Sequence, residues 1–168
     1  MSEVLTRFAL NNAYANRTIY GALADISREA FLADRPGFFP TIARTLNHIY
    51  EVDLFYIDAL EEGGVGRLVY DREDIEDVAE LAAAQAGADM RLAMFCSKTP
   101  DLSRLVPVER KDEMTTEIIG ALLPHLFQHQ IHHRGQVHVQ MSAAGIAPPQ
   151  LDDFFLEYGR APIAQEYF

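Results

Sequence analysis

Tryptophan is absent from this chain, and cysteine occurs once, as Cys96. A single cysteine excludes an internal disulfide, which fits a reducing compartment without proving one. No apolar run reaches the roughly 18 to 20 residues that a membrane-spanning helix needs. The first residues, MSEVLTRFALNNAYANR, also lack the basic end and the unbroken apolar stretch of a secretory signal. We therefore expect a soluble, cytoplasmic protein with no membrane partner.

Basic residues are scarce as well. The chain has 14 Lys and Arg against 25 Asp and Glu, so its formal net charge is −11. The acidic residues are spread along the chain, and the protein as a whole should repel phosphate backbones. Nucleic acid is therefore not an expected partner. A length of 168 residues fits one domain, which we predict over residues 1–168.

Four long segments repeat their apolar residues at helical spacing, which predicts an all-α protein. They run from Ser2 to about Ile26, from about Pro40 to Glu62, from about Arg72 to Lys98, and from about Glu117 to Ala144. Residues 102–117, before the fourth helix, alternate like a short extended arm or hairpin. A brief terminal helix is expected from Leu151 to Tyr158, with Phe154, Phe155 and Leu156 packed on the other helices.

The histidines are crowded into one of these segments. All but His48 lie in the fourth predicted helix, at positions 125, 129, 132, 133 and 138. Residues four apart on a helix project side by side, so His129 and His133 can hold one ion. A firmly bound metal needs a further ligand, and His48 on the second helix is the obvious candidate.

His129 and His133 belong to a polar stripe along the fourth predicted helix. A helical wheel places five side chains near one direction: His125, His129, His133, Gln136 and Gln140. Buried polar groups need partners, and a metal would satisfy the imidazoles. However, spaced histidine pairs also occur by chance on solvated faces, and a lone histidine such as His48 is usually a hydrogen-bonded core residue. The spacing alone leaves both interpretations open.

Three stretches resemble the DinB family of DinB/YfiT-like metalloenzymes. The most specific is HLFQHQIHHRGQVHVQMSAAGIAPPQLD, residues 125–152, with its H-x3-HRGQ core. The segments TLNHIYEVDLFYIDAL and NNAYANRTIY are also similar to the corresponding stretches of that family. The resemblance implies a four-helix bundle with a metal held by His48, His129 and His133. It also implies a homodimer.

Neighbouring residues have weaker expected roles. For His125 a fourth ligand, a proton carrier beside the metal and a hydrogen-bonded pocket residue are all open, with the last preferred. Gln136 is expected either to orient a ligand or to hydrogen-bond a bound molecule. Asn16, paired at i,i+4 with Asn12, either lines the pocket or satisfies a buried polar contact, and we favour the contact.

Three further residues receive structural interpretations. Arg134 points away from the polar stripe and should pair with an acidic residue of a neighbouring element. Asp53 is expected to form a salt bridge between helices. Cys96 has no nearby predicted base and is expected to be a packed, inert thiol.

The predicted site favours a metal-dependent enzyme. Three neutral histidines leave a divalent ion with its charge uncompensated and a coordination position free, which lowers the pKa of bound water or thiol. The resemblance implies a small-molecule substrate, and thiol S-transfer with a low-molecular-weight thiol ranks ahead of hydrolysis. One ion per chain is expected, zinc first, although nickel and iron also suit imidazole ligands. The alternative is a non-enzymatic, stress-related protein with a structural metal.

Overall fold

Four long helices form the bundle that the sequence predicts. The computed structural model describes residues 2–168. The helices are α1 (Ser2–Ala22), the short α2 (Arg28–Leu32), α3 (Ile42–Glu61), α4 (Val78–Ser97) and α5 (Ile119–Ala143). Between α4 and α5, strands β1 (Leu105–Glu109) and β2 (Met114–Ile118) pair as an antiparallel hairpin, which confirms the predicted arm. Helix α1 packs mainly on α4 and helix α3 on α5, while α3 also contacts α4.

Helix α4 starts later than predicted. The expected start at Arg72 is wrong, because the carboxylate of Asp77 accepts a hydrogen bond from the amide of Glu80 at 2.9 Å and caps the helix there. The preceding chain is held in a non-helical course by a buried side chain of α3: Asn47 Oδ1 accepts from the Ile75 amide at 2.9 Å. The cap and this tertiary bond therefore override the helical period of the loop.

The end of the first predicted helix also differs. Helix α1 ends at Ala22, and the expected continuation to Ile26 is wrong. Ser27 Oγ accepts a hydrogen bond from the Ala30 amide at 3.1 Å and begins the separate helix α2. A second local N-cap thus divides one apolar pattern into two helices.

The C-terminal helix is displaced relative to its predicted position. Leu151 to Tyr158 is not helical, and a 3-10 helix forms instead over Pro162–Tyr167. Phe154 is buried against α1, whereas Phe155 and Leu156 are 42% and 63% exposed. Three consecutive side chains cannot all face one partner, so only one of the three predicted packing residues reaches the core.

Two large apolar clusters fill the bundle, and a smaller one around Tyr14 and Phe154 lies beside them. One includes Phe55, Leu92 and Leu123, and the other includes Ile19 and Leu46. Polar side chains of α3 and α5 contact each other across this helix pair, as in the hydrogen bonds of Thr45 with Gln140 and of Gln130 with Asp53. Within residues 2–168, no helix is both long enough and apolar enough to cross a bilayer.

The single cysteine lies inside the first of these clusters. Cys96 is fully buried near the end of α4, and burial raises the pKa of its thiol to about 12. The thiolate is the reactive form of cysteine, so this side chain is inert at neutral pH. This agrees with the packed thiol that the sequence predicts.

Candidate metal centre

Three histidines converge where α3 packs against α5. His48 comes from the middle of α3, while His129 and His133 lie one turn apart on α5. One ring nitrogen of each lies within 4.8 Å of the other two. Nε2 of His48 and Nε2 of His129 lie 3.2 Å apart. The structure therefore brings together the three residues that the sequence singles out.

The environment keeps these imidazoles neutral. Burial, followed by the charges of His133 and Arg44, lowers the pKa of His48 to about 4. Burial and the surrounding histidines lower the pKa of His129 to about 3, and burial also lowers the pKa of His133. A neutral imidazole has one nitrogen with a free lone pair, which is the form that binds a metal.

Gln136 fixes the tautomer of His133. Its amide oxygen lies 2.9 Å from His133 Nδ1 and can only accept, so Nδ1 carries the proton. The lone pair of His133 is then on Nε2. The amide nitrogen of Gln136 contacts Nε2 of the exposed His132 at 3.1 Å. Of its two expected roles, the contacts of Gln136 match the orientation of a ligand.

The donor set fits a divalent cation. Zn–N bonds of about 2.0 to 2.1 Å in tetrahedral geometry place two ligand nitrogens roughly 3.3 Å apart, close to the 3.2 Å between His48 and His129. Nδ1 of His129 is buried and has no hydrogen-bond partner among the described residues. Without an ion, the lone pairs of three converging neutral nitrogens would face and repel one another. A bound cation would remove this repulsion.

Phe39 is a site residue that the sequence analysis missed. Its ring centroid lies 4.5 Å from that of His48 and 5.7 Å from that of His133, so it forms an apolar wall beside both. The loop that carries it is held by Gln140, whose amide nitrogen donates to the Phe39 carbonyl at 2.8 Å. Gln140 belongs to the predicted polar stripe, so the sequence did indicate that this residue needs a polar partner. It could not indicate Phe39 as that partner, because the contact between the loop and α5 depends on tertiary structure.

His125 lies at the edge of this centre. It is exposed, and its ring centroid is 6.4 Å from that of His129 and 5.3 Å from that of Tyr56. It does not join the converging group, in which no fourth histidine, cysteine or carboxylate takes part among residues 2–168. This geometry agrees with a residue beside the site better than with a ligand.

A model of the DinB family matches residues 1–165 of the chain. The chain belongs to the DinB family. Protein DinB of Bacillus subtilis (strain 168) is 22% identical over 159 residues, which cover 90% of this chain and 92% of that protein. The crystal structure of a DinB-like protein from Bacillus cereus ATCC 10987 superposes with a TM-score of 0.63 at 19% identity, covering 82% of this chain and 90% of that one. The family and the bundle that the sequence motifs indicate are thus confirmed.

Asn16 takes part in a second polar cluster of this DinB-family chain. Asn12 and Asn16 donate to the carboxylate of Asp89 at 3.0 and 2.9 Å, and their own amide oxygens accept from Arg134. Within residues 2–168, the hydrogen bonds of Asn16 join it to Asp89 and Arg134 and not to the three histidines. Asn16 therefore forms the buried polar contact that we favoured over a place in the metal pocket.

The predicted ion pairs of Arg134 and Asp53 are corrected by this network. Arg134 reaches Asp89 through the two asparagines, not by direct contact. Asp53 accepts hydrogen bonds from the amides of Gln85 and Gln130. Helix-wheel geometry indicated that these side chains face neighbouring helices, but both are buried there and amide groups surround them instead of an oppositely charged partner.

We expect this network to make stability depend on pH. Burial and the charge of Asp89 raise the pKa of Asp53 from 3.8 to about 8. The folded protein thus holds a proton on Asp53 that the unfolded chain releases, so the contribution of Asp53 to stability falls as pH rises from about 4 to about 8, by at most about 1.4 kcal/mol per pH unit. In urea denaturation, Asp53→Asn should gain stability relative to the unaltered protein over this window.

Asp25→Asn, which alters an exposed aspartate, is the control. The stability of this variant should follow that of the unaltered protein across the same pH window. An Asp53→Asn curve that runs parallel to the unaltered one across the whole window would contradict the assigned proton.

Gln136→Leu tests the orientation of His133. Loss of the acceptor at Nδ1 frees the ring and its tautomer, and we expect metal affinity to weaken roughly 10- to 100-fold with the fold retained. Competition with a chromogenic chelator measures this affinity. Gln128→Leu, at an exposed position of the same helix, is the matched control. Equal affinities of the two variants would remove Gln136 from the site.

Proposed function

We propose that this DinB-family protein binds one divalent metal ion through His48, His129 and His133 and uses it to activate a thiol. In the reaction, the sulfur of a low-molecular-weight thiol would bond to a small electrophilic substrate and displace its leaving group, such as chloride. Zinc is the first expected metal, and nickel and iron suit the same nitrogen donors. The observation that carries the proposal is the convergence of three neutral ring nitrogens within 4.8 Å of one another.

The composition of the ligand set supports catalysis over a structural role. Structural zinc sites are usually closed by four protein ligands, whereas catalytic sites keep a position for water or substrate. Three neutral ligands also leave the charge of the ion uncompensated. A bound divalent cation supplies Lewis acidity that lowers the pKa of a thiol or of water.

The surrounding side chains would position and deprotonate the nucleophile. His125 is exposed beside the site and contacts the ring of Tyr56, so we assign it the removal of the thiol proton at an imidazole nitrogen. Phe39 covers one side of His48 and His133 and keeps water from that side. Gln136 accepts a hydrogen bond from Nδ1 of His133 and so holds the ring with Nε2 directed away from that bond.

The test is a thiol-transfer screen of metal-loaded protein with glutathione, cysteine and coenzyme A against an aromatic chloride electrophile. We expect turnover with at least one thiol, a loss of turnover on chelation, and a further loss of rate in His125→Asn at unchanged metal content. If no thiol reacts while the metal still raises the melting temperature, the metal is structural. Hydrolysis of an activated ester without any thiol would assign water as the nucleophile.

A further inference from the structure

An arginine of the hairpin lies beside the helix pair that holds the three histidines. Tyr56 follows His48 by about two turns of α3, which is about 12 Å along the helix axis. The ring centroid of Tyr56 is 5.3 Å from that of His125 on α5, and its hydroxyl accepts a hydrogen bond from Nη1 of Arg110 at 3.3 Å. Arg110 is therefore placed at the level of Tyr56, on the His125 side of the candidate metal centre.

Both side chains of this pair project from a fixed backbone. Val108, two residues before Arg110, is fully buried in the apolar cluster that includes Phe55. The Arg110 amide donates to the Glu113 carbonyl at 2.8 Å across the hairpin turn. Tyr56 is 8% exposed and packs edge-on against Phe55. The guanidinium and the hydroxyl thus form a preformed pair of polar groups.

The charge of Arg110 is only loosely compensated. Its ion pair with Glu117 spans 3.4 Å between side chains that are 37% and 40% exposed. Arg44, which also lies near the histidines, is instead held by Glu51 and Asp74 through three hydrogen bonds of 2.8 to 3.1 Å. A long, exposed ion pair contributes little to stability, so a better acceptor can replace Glu117. In a chain with a net charge of −11, Arg110 is a local attraction for an anionic group.

The two polar groups suit a carboxylate. A guanidinium offers parallel N–H groups that match the two oxygens of a carboxylate. The Tyr56 hydroxyl accepts its bond from Arg110 and, among the hydrogen bonds of residues 2–168, gives its own proton to no acceptor. That proton is therefore free to be donated to the same carboxylate that the arginine binds.

We propose that Arg110 and Tyr56 bind the carboxylate of an elongated thiol whose sulfur reaches the metal centre. This carboxylate site rests on the thiol transfer proposed above and names the class of thiol. The separation of about 12 Å along α3 requires a carboxylate many bonds away from the sulfur, as in a peptide-like thiol. The glutamyl carboxylate of glutathione lies up to about 10 Å from its sulfur, and a metal–sulfur bond of about 2.3 Å adds to that reach. Cysteine, whose carboxylate is only about 4 Å from its sulfur, is too short.

Equilibrium binding to cobalt-loaded protein tests the proposal. A thiolate bound to Co²⁺ gives a sulfur-to-metal absorption band, so a titration measures the Kd of each thiol without turnover. The two main probes are glutathione and glutathione diethyl ester, which has the same thiol and backbone but no free carboxylate. Glutathione should bind the unaltered protein roughly tenfold more tightly than the diester, as expected for a charge-assisted hydrogen bond.

Three variants separate this carboxylate site from general electrostatics. In Arg110→Met, the affinity for glutathione should fall roughly tenfold, to that of the diester, while the affinities for the diester and for cysteine stay unchanged. Tyr56→Phe should weaken glutathione binding roughly three- to tenfold. Lys111→Met removes the neighbouring exposed charge and is the matched control, so it should alter the affinity for glutathione by less than about twofold.

The outcomes distinguish this site from the proposed function. A cobalt band of equal affinity with glutathione and its diester would overturn the carboxylate site and leave the thiol function standing. A loss of glutathione affinity as large in Lys111→Met as in Arg110→Met would assign the effect to net charge and would also overturn the site. If no thiol gives a sulfur-to-cobalt band, the thiol function is wrong, and the carboxylate site falls with it.

Discussion

His129→Ala is expected to abolish stoichiometric metal binding. The ring centroid of His129 lies 5.1 Å from that of His48 and 4.4 Å from that of His133. A partner that only orients a ligand is worth roughly 10- to 100-fold in affinity, so the loss of a ligand itself should cost more than about 100-fold. The metal content of untagged protein purified without immobilised metal, measured by elemental analysis, should then fall from about one ion per chain to a trace. This is the result expected for a site left with two ligands.

His132→Ala is the matched control for this prediction. It removes a histidine from the same helix, with a ring centroid 4.9 Å from that of His133, but outside the converging group. Its metal content should stay near that of the unaltered protein, while His48→Ala and His133→Ala should behave like His129→Ala. Full metal content in all three ligand variants would place the metal elsewhere or exclude it.

The same variants separate binding from folding. Without metal, His129→Ala should unfold at a similar temperature to the unaltered apoprotein, because it removes a partly buried imidazole whose Nδ1 has no hydrogen-bond partner among residues 2–168. Added zinc should raise the melting temperature of the unaltered protein and leave that of His129→Ala unchanged, since only a ligand bound to the folded state stabilises it.

The three-histidine cluster could be predicted from the sequence because most of its information is local. His129 and His133 are one helical turn apart, and the periodicity of the chain places both on one face. To predict that His48 joins them, one must also know that α3 packs against α5. The family motifs supplied that, and the packing of α3 on α5 in the structure provides its physical basis.

The residues that were missed or misassigned depend on long-range contacts. Phe39 lies in an irregular loop, and its position follows from a bond to Gln140, about 100 residues away in the chain. The start of α4 depends on Asn47 in another helix. Asp89 was not singled out at all, because nothing in its surrounding alanine-rich segment shows that α1 presents two asparagines to it.

Helix α5 connects the metal centre to the second polar network. His129 and Gln130 are adjacent, as are His133 and Arg134, and adjacent helical residues point about 100° apart. One member of each pair therefore faces the metal centre and the other faces the buried network of Asp53 and Asp89. The rotation of α5 about its axis is thus fixed from two sides, which positions the imidazoles before any ion binds.

Arg134→Met is accordingly expected to destabilise the apoprotein by about 3 to 5 kcal/mol, the cost of leaving a buried charge without its partner. Arg134 is 5% exposed, and its guanidinium holds the amide oxygens of Asn12 and Asn16. Methionine keeps much of the volume but leaves these acceptors unpaired and the Asp89 carboxylate without a nearby cation. Urea denaturation in the presence of chelator measures the loss without contribution from the metal.

A double variant shows whether the cost arises from charge. If the uncompensated carboxylate is the main penalty, then Arg134→Met combined with Asp89→Asn should recover part of the stability lost by Arg134→Met alone, so the two changes should not be additive. Arg7→Met removes an exposed arginine paired with Glu3 and should cost less than about 1 kcal/mol. A similarly small cost for Arg134→Met would mean that hydration compensates the Asp89 carboxylate. The network would then not fix the orientation of α5, and the alignment of His129 and His133 would have to come from apolar packing alone.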